Sequence, residues 1–144
     1  MNIDEFVTNV ISILKTSQID FLIHGAVAVG IYGFTRATQD LDIIIITPQE
    51  KIEKVLVKKG FTKLVVKMTE SGLISRYKLG DWVLDIFVEG RRMEWIKLKR
   101  RAFKTKWHDY EVKVISKKDL ITNKKKRASS KDLLDIHMLE YSEK

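Results

Sequence analysis

The run Asp40-Leu41-Asp42-Ile43-Ile44-Ile45-Ile46 constrains this chain more than any other stretch. Four consecutive isoleucines favour an extended strand buried on both faces, as at the centre of a sheet. Strand geometry puts residues two apart on one face, so Asp40 and Asp42 point the same way. Two carboxylates side by side repel, and the arrangement is costly unless a cation or strong donors offset the charge. A divalent-metal site supplies that offset. The plain alternative is solvation at a strand end or a turn cap.

The residues just upstream lead into this strand. Phe21-Leu22-Ile23 reads as a short buried strand, followed by a turn at His24-Gly25-Ala26 and a short helix from Ala26 to Tyr32. Gly25 suits the tight turn, Gly30 suggests close packing, and Gly33 suggests a stop. Downstream, Leu73 to Leu79 and Trp82 to Val88 read as a hairpin turning at Gly80-Asp81. Asp85 sits in the second arm between Leu84 and Ile86, and a charge in that setting needs a partner. It is the natural third member of a site with Asp40 and Asp42.

The rest of the chain supplies a frame for these elements. Ile3, Phe6, Val7, Val10, Ile11 and Leu14 fall at helical spacing over 2–15, with Asn2 or Asp4 as N-cap. Thr47-Pro48-Gln49-Glu50 predicts a helix start with a Thr cap, running to Lys59 and closed by Gly60. Phe61 to Lys67 reads as an edge strand. Arg91 to Lys106 is basic and helical at its start, and Tyr110 to Ile115 reads as a last strand. Ser116 caps a helix from Lys117, and Ser129 or Ser130 starts another. The fold class is α/β (α+β): a mixed central sheet of about five strands flanked by helices, with a helical C-terminal end. A single domain over 1–144 is expected, its core about 1–115 and its terminal helices about 116–144.

Composition excludes several chemistries. Without cysteine there is no disulfide, thiol nucleophile or cysteine-ligated zinc. The three histidines, His24, His108 and His137, lack metal-ligand spacing. No apolar run reaches the ~20 residues of a membrane span, so no membrane partner is expected. The N-terminus lacks the features of a signal peptide, which makes the cytoplasm the expected location. The net charge is +8, concentrated between 91 and 131. A basic half beside an acidic pair suggests an anionic partner such as a nucleotide or RNA. A solvated lysine-rich surface is the plain alternative.

At Gly25, Arg36, Thr38, Asp40, Asp42 and Asp85 the sequence resembles the nucleotidyltransferase superfamily, whose fold is that of the DNA polymerase β palm. The family pattern is a strand, a glycine turn into a short helix, Asp-x-Asp on the next strand and a third acid on a later one. Here these are His24-Gly25-Ala26, Asp40-Leu41-Asp42 and Leu84-Asp85-Ile86. The segment from Gly30 through Gly33, Arg36 and Thr38 to Asp42 is most similar to small prokaryotic members, some linked to toxin–antitoxin systems. The tail with Lys124, Arg127 and Asp135 is similar to the helical end of the same group.

The resemblance implies an enzyme that moves a nucleoside monophosphate from a nucleoside triphosphate to a hydroxyl acceptor. Asp40, Asp42 and Asp85 would be both catalytic residues and ligands of Mg2+ or Mn2+. His24, Gly25, Ala26, Arg36, Thr38, Lys124 and Arg127 would form the nucleotide-binding set. Thr38 suits a local hydrogen bond that braces its loop. RNA or a partner protein could serve as acceptor. The usual turn is Gly-Gly or Gly-Ser, whereas Gly25-Ala26 carries no hydroxyl. That departure keeps a second reading open: a non-catalytic nucleotide- or RNA-binding module, or a toxin–antitoxin component, with the same fold.

Overall fold

A computed structural model describes residues 1–34, 37–127 and 130–140, with side chains throughout except at 126, 127 and 130–132. Helix α1 (Ile3–Thr16) starts at a capping box: the Glu5 amide donates to Asn2 Oδ1 at 2.8 Å, and the Asn2 amide donates to Glu5 Oε1 at 3.3 Å. The predicted apolar stripe of α1 is its buried face, with Phe6, Val7, Val10, Ile11 and Leu14 almost inaccessible.

Strand β1 (Phe21–His24) runs directly into the short helix α2 (Gly25–Ile31), and β2 (Asp40–Ile45) follows. Then come α3 (Gln49–Lys58), β3 (Thr62–Met68), β4 (Gly72–Leu79), β5 (Trp82–Glu89) and α4 (Arg92–Arg101). The chain continues through β6 (Phe103–Trp107), β7 (Tyr110–Val114), α5 (Lys117–Arg127) and α6 (Ser130–Glu140). The strands form one mixed sheet in the order β3-β4-β5-β2-β1-β7-β6. β2 is parallel to β5 and β1 is parallel to β7, while the other neighbours are antiparallel. The isoleucine run lies at the centre, as its two-faced burial requires: Leu41, Ile43, Ile44 and Ile45 are all buried. Each fully buried isoleucine contributes about 1.5–3 kcal/mol. Phe6 stacks on Trp82 at 5.8 Å between ring centroids. This seats α1 on the face of β5 that carries Trp82, Leu84 and Ile86, leaving the opposite face to Asp85.

The sheet has seven strands where about five were expected. Six of them match stretches that read as strands; the seventh, β6, lies within the basic stretch read as helical at its start, and its alternation of Phe103, Thr105 and Trp107 with Lys104 and Lys106 is that of a sheet edge. β3 forms the other edge, with every residue exposed and a register shift between Lys63 and Val65. Two local expectations also change. Pro48 rather than Thr47 occupies the N-cap of α3, because its extended ψ of 144° holds it outside the helix. Gly30 faces open space, with nothing within 4 Å of a would-be Cβ, so it does not serve close packing. Gly33 and Gly60 do adopt the positive φ of helix stops.

Ser116 caps α5 as predicted: its Oγ accepts from the Asp119 amide at 3.1 Å and donates to Asp119 Oδ2 at 2.9 Å. Among the described residues no helix is long and apolar enough to cross a membrane.

Candidate active site

The sheet register sets four ionisable side chains in one row. Across β1, β2 and β5, His24 is the Cα partner of Asp42, and Asp42 is the partner of Asp85. On β4, Arg76 is in turn the partner of Asp85. Adjacent strands lie about 4.8 Å apart, so the row His24–Asp42–Asp85–Arg76 crosses four strands with all side chains on one face. Asp40 lies two residues from Asp42 on that same face. The structure therefore brings the three predicted aspartates onto neighbouring positions of two parallel central strands.

Gly25 explains how the Asp42 carboxylate fits. Its φ is +67°, a left-handed conformation that suits glycine. A Cβ built at Gly25 would lie 2.1 Å from Asp42 Oδ2 and 2.8 Å from Asp42 Cβ. The missing side chain is the space in which the carboxylate sits, against the start of α2. Thr38 braces the neighbouring acid: its hydroxyl accepts from the Asp40 amide at 3.1 Å and contacts the Asp40 carbonyl at 3.2 Å. Ala26 follows in α2 with no polar side chain.

Arg76 was not among the expected site residues. Its Nε donates to Asp85 Oδ1 at 2.7 Å and its Nη2 donates to Asp85 Oδ2 at 3.0 Å, a bidentate pair. Hydrogen bonding to Asp85, then the charge of that carboxylate, holds the Arg76 guanidinium above its usual range; Asp40 and Asp42 pull more weakly in the same direction. The guanidinium is a resident counter-charge for the acidic row. The hairpin turn could have revealed it, since Arg76 and Asp85 are equidistant from Gly80-Asp81.

Three carboxylates on one face are suitable donors for a hard divalent cation. They do not converge as a finished ligand set: among the described residues no three acidic or imidazole groups are gathered closely enough to hold a metal ion. The Arg76 pair engages both oxygens of Asp85 from the neighbouring strand β4. Because the guanidinium is half exposed (49%), the pair contributes no more than about 1 kcal/mol. Arg76→Met is therefore expected to lower the melting temperature by a few degrees without added cation and to enlarge the stabilisation by Mn2+ relative to wild type. Thermal unfolding over a Mn2+ titration checks this; equal Mn2+ responses would show that Arg76 does not compete for Asp85.

The remaining expected residues are placed differently. Arg36 lies outside the described residues, as does the side chain of Arg127. Lys124, expected to reach a triphosphate or RNA, is instead only 1% exposed, with its Nζ 2.9 Å from Asp135 Oδ2 across the α5–α6 seam. Its place in a run of lysines gave the appearance of a solvated face. Of the tryptophans, Trp82 stacks on Phe6, Trp95 is buried, and Trp107 donates from Nε1 to Thr8 Oγ1 at 2.9 Å.

This architecture is the nucleotidyltransferase fold, an α+β sheet with a helical C-terminus. The chain is similar over nearly its whole length to several solved structures. The lincosamide antibiotic adenylyltransferase LnuA, in its lincomycin-bound form, superposes with a TM-score of 0.73 at 16% identity, covering 97% of this chain and 98% of that one. ANT(2'')-Ia in complex with adenylyl-2''-tobramycin superposes at 0.66 and 13% identity, covering 94% and 86%. An antigenic nucleotidyltransferase-like protein from Paracoccidioides brasiliensis gives 0.61 and 20%, covering 94% and 74%. No protein-family model and no curated protein matches the sequence. At these identities the likeness is one of fold.

Proposed function

We propose that this chain is a nucleotidyltransferase that moves a nucleoside monophosphate from a nucleoside triphosphate to a hydroxyl acceptor. The observation that carries the proposal is the row of Asp42 and Asp85 beside Asp40, seated at the glycine turn of a fold shared with adenylyltransferases. Asp40 and Asp42, with Asp85 as third ligand, would hold Mg2+ or Mn2+, which when bound supplies neutralising charge to the triphosphate and its leaving group.

In the reaction the acceptor oxygen bonds to the α-phosphorus, the α–β bridging bond breaks, and pyrophosphate leaves with the electron pair. Asp85 takes the hydroxyl proton after exchanging its guanidinium partner. His24 donates to a phosphate oxygen in place of the absent turn serine, the amides at Gly25 and Ala26 approach the phosphates, and Arg36 adds positive charge. The acceptor is a small molecule, RNA or a protein side chain. Residues 1–144 act as one domain in this reading.

Thermal unfolding with each nucleoside triphosphate, with and without Mg2+ or Mn2+, tests it without knowledge of the acceptor. Ligand at 100 times its Kd adds about 2.7 kcal/mol, a rise of roughly 5–10 °C for a domain of this size. Asp42→Asn is expected to lose the metal-dependent rise. An unchanged rise in that variant would sink the proposal. The Arg76–Asp85 pair favours one further reading, a nucleotide-binding module without transfer, since it already neutralises the third acid. Metal-dependent binding with no pyrophosphate release across an acceptor panel would select that reading.

A further inference from the structure

The far end of the central strands carries a second charged feature, of opposite sign. A groove of about 460 Å3 lies between α4 and the β7–β6 edge. Its charged lining is Arg92, Lys99 and Arg100 from α4, Lys104 from β6 and Lys113 from β7, with no carboxylate among the lining residues. Lys99 pairs with Asp20 at the rim. Among the described residues no carboxylate pairs with Arg92, Arg100, Lys104 or Lys113.

The placement of the two lysines is the telling detail. Lys104 and Lys113 are Cα partners across β6 and β7, so their ammonium groups share one face of one rung. Like charges directly opposite each other on a sheet are destabilising. As with Asp40 and Asp42, but with the sign reversed, a counter-ion offsets the repulsion: an anion bound between the two lysines. On α4, Arg92, Lys99 and Arg100 fall at i, i+7 and i+8, one face of a helix, and span about 12 Å at 1.5 Å per residue. A track of that length meets several successive charges, not a single ion.

We infer that this groove binds the phosphodiester backbone of a nucleic-acid strand. A membrane surface is disfavoured because the largest apolar group in the groove, Trp95, is 5% exposed and cannot insert. Contact is through charge, so the groove reads backbone rather than base sequence. Ile46, on the groove wall, lies four residues beyond Asp42, just past the end of β2, or about 13 Å away along the strand direction. On the transferase reading, on which this last step rests, the strand held here is the acceptor, with its terminal hydroxyl reaching back to the aspartates.

Fluorescence anisotropy of a labelled 20-nucleotide RNA, with the full chain over a KCl series, tests the groove. Lys104→Gln/Lys113→Gln is expected to weaken binding tenfold or more and to flatten the salt slope by about 1.4, at roughly 0.7 per phosphate contact removed. Lys54→Gln/Lys58→Gln on α3 removes the same charge elsewhere and should change affinity less than threefold. Arg92→Gln/Arg100→Gln should repeat the loss, and melting curves confirm that each variant is folded. A DNA strand of the same sequence should bind within a few-fold of the RNA.

Equal losses in the groove and α3 variants, no wild-type binding at 100 mM salt, or strong preference for RNA over DNA would each overturn the inference. Asp42→Asn should retain RNA binding. Its loss of the triphosphate response bears on the transferase reading alone, so the two can fail separately.

Discussion

Gly25→Ala is expected to lower stability by about 2–5 kcal/mol and to remove any metal-dependent response to nucleoside triphosphate. Two costs combine. A left-handed φ of +67° costs an alanine roughly 1–2 kcal/mol. Forcing a methyl group into a filled space typically adds about 1–3 kcal/mol. Rotation of the carboxylate would clear Asp42 Oδ2, but Asp42 Cβ, 2.8 Å away, moves only if β2 itself moves. Gly30→Ala, five residues on in the same helix, is the matched control. With nothing within 4 Å, it should gain roughly 0.5–1 kcal/mol, because glycine is a poor helix residue. Thermal unfolding of both variants decides the point. If they behave alike, the carboxylate is not seated against α2.

Lys124→Met is expected to cost about 3–5 kcal/mol, the usual cost of breaking a buried ion pair by removing one partner. For a domain of this size that lowers the melting temperature on the order of 10 °C. Lys124 and Asp135 are 1% and 3% exposed. The double variant Lys124→Met/Asp135→Leu should recover most of the loss, because an apolar pair of similar volume tolerates the same site. A urea-unfolding cycle over the four proteins measures the coupling. A single-variant loss below 1 kcal/mol would mean that water reaches the seam. Triphosphate binding should be unchanged in the double variant, because this lysine packs α5 on α6 and does not face a ligand.

These two residues mark where sequence reasoning succeeded and where it stopped. Gly25, Asp40, Asp42 and Asp85 were legible because strand periodicity and a glycine turn are local rules, and each residue obeys them. α1 was legible for the same reason, and of the two caps expected, Asn2 or Asp4, Asn2 is the one used. β6 was missed although its alternation is clear, because the stretch from Arg91 to Lys106 was read only as basic and helical at its start. Lys124 was misjudged because burial of a charge depends on a partner eleven residues away on another helix, which no periodicity encodes. Arg76 was recoverable in principle, since the hairpin turn fixes its register with Asp85.

The parallel pairing of β2 with β5 has a consequence for motion. Asp42 and Asp85 hang from rungs of the central ladder, whose amides open only with the whole sheet and should exchange with solvent among the slowest in the chain. Binding loops usually belong to the least protected regions, and here the acids belong to the most protected one. Adaptation to a ligand therefore falls to side-chain rotation, which for an exposed guanidinium such as Arg76 takes picoseconds to nanoseconds. The spacing between the carboxylate-bearing strands stays as constant as the backbone hydrogen bonds that set it.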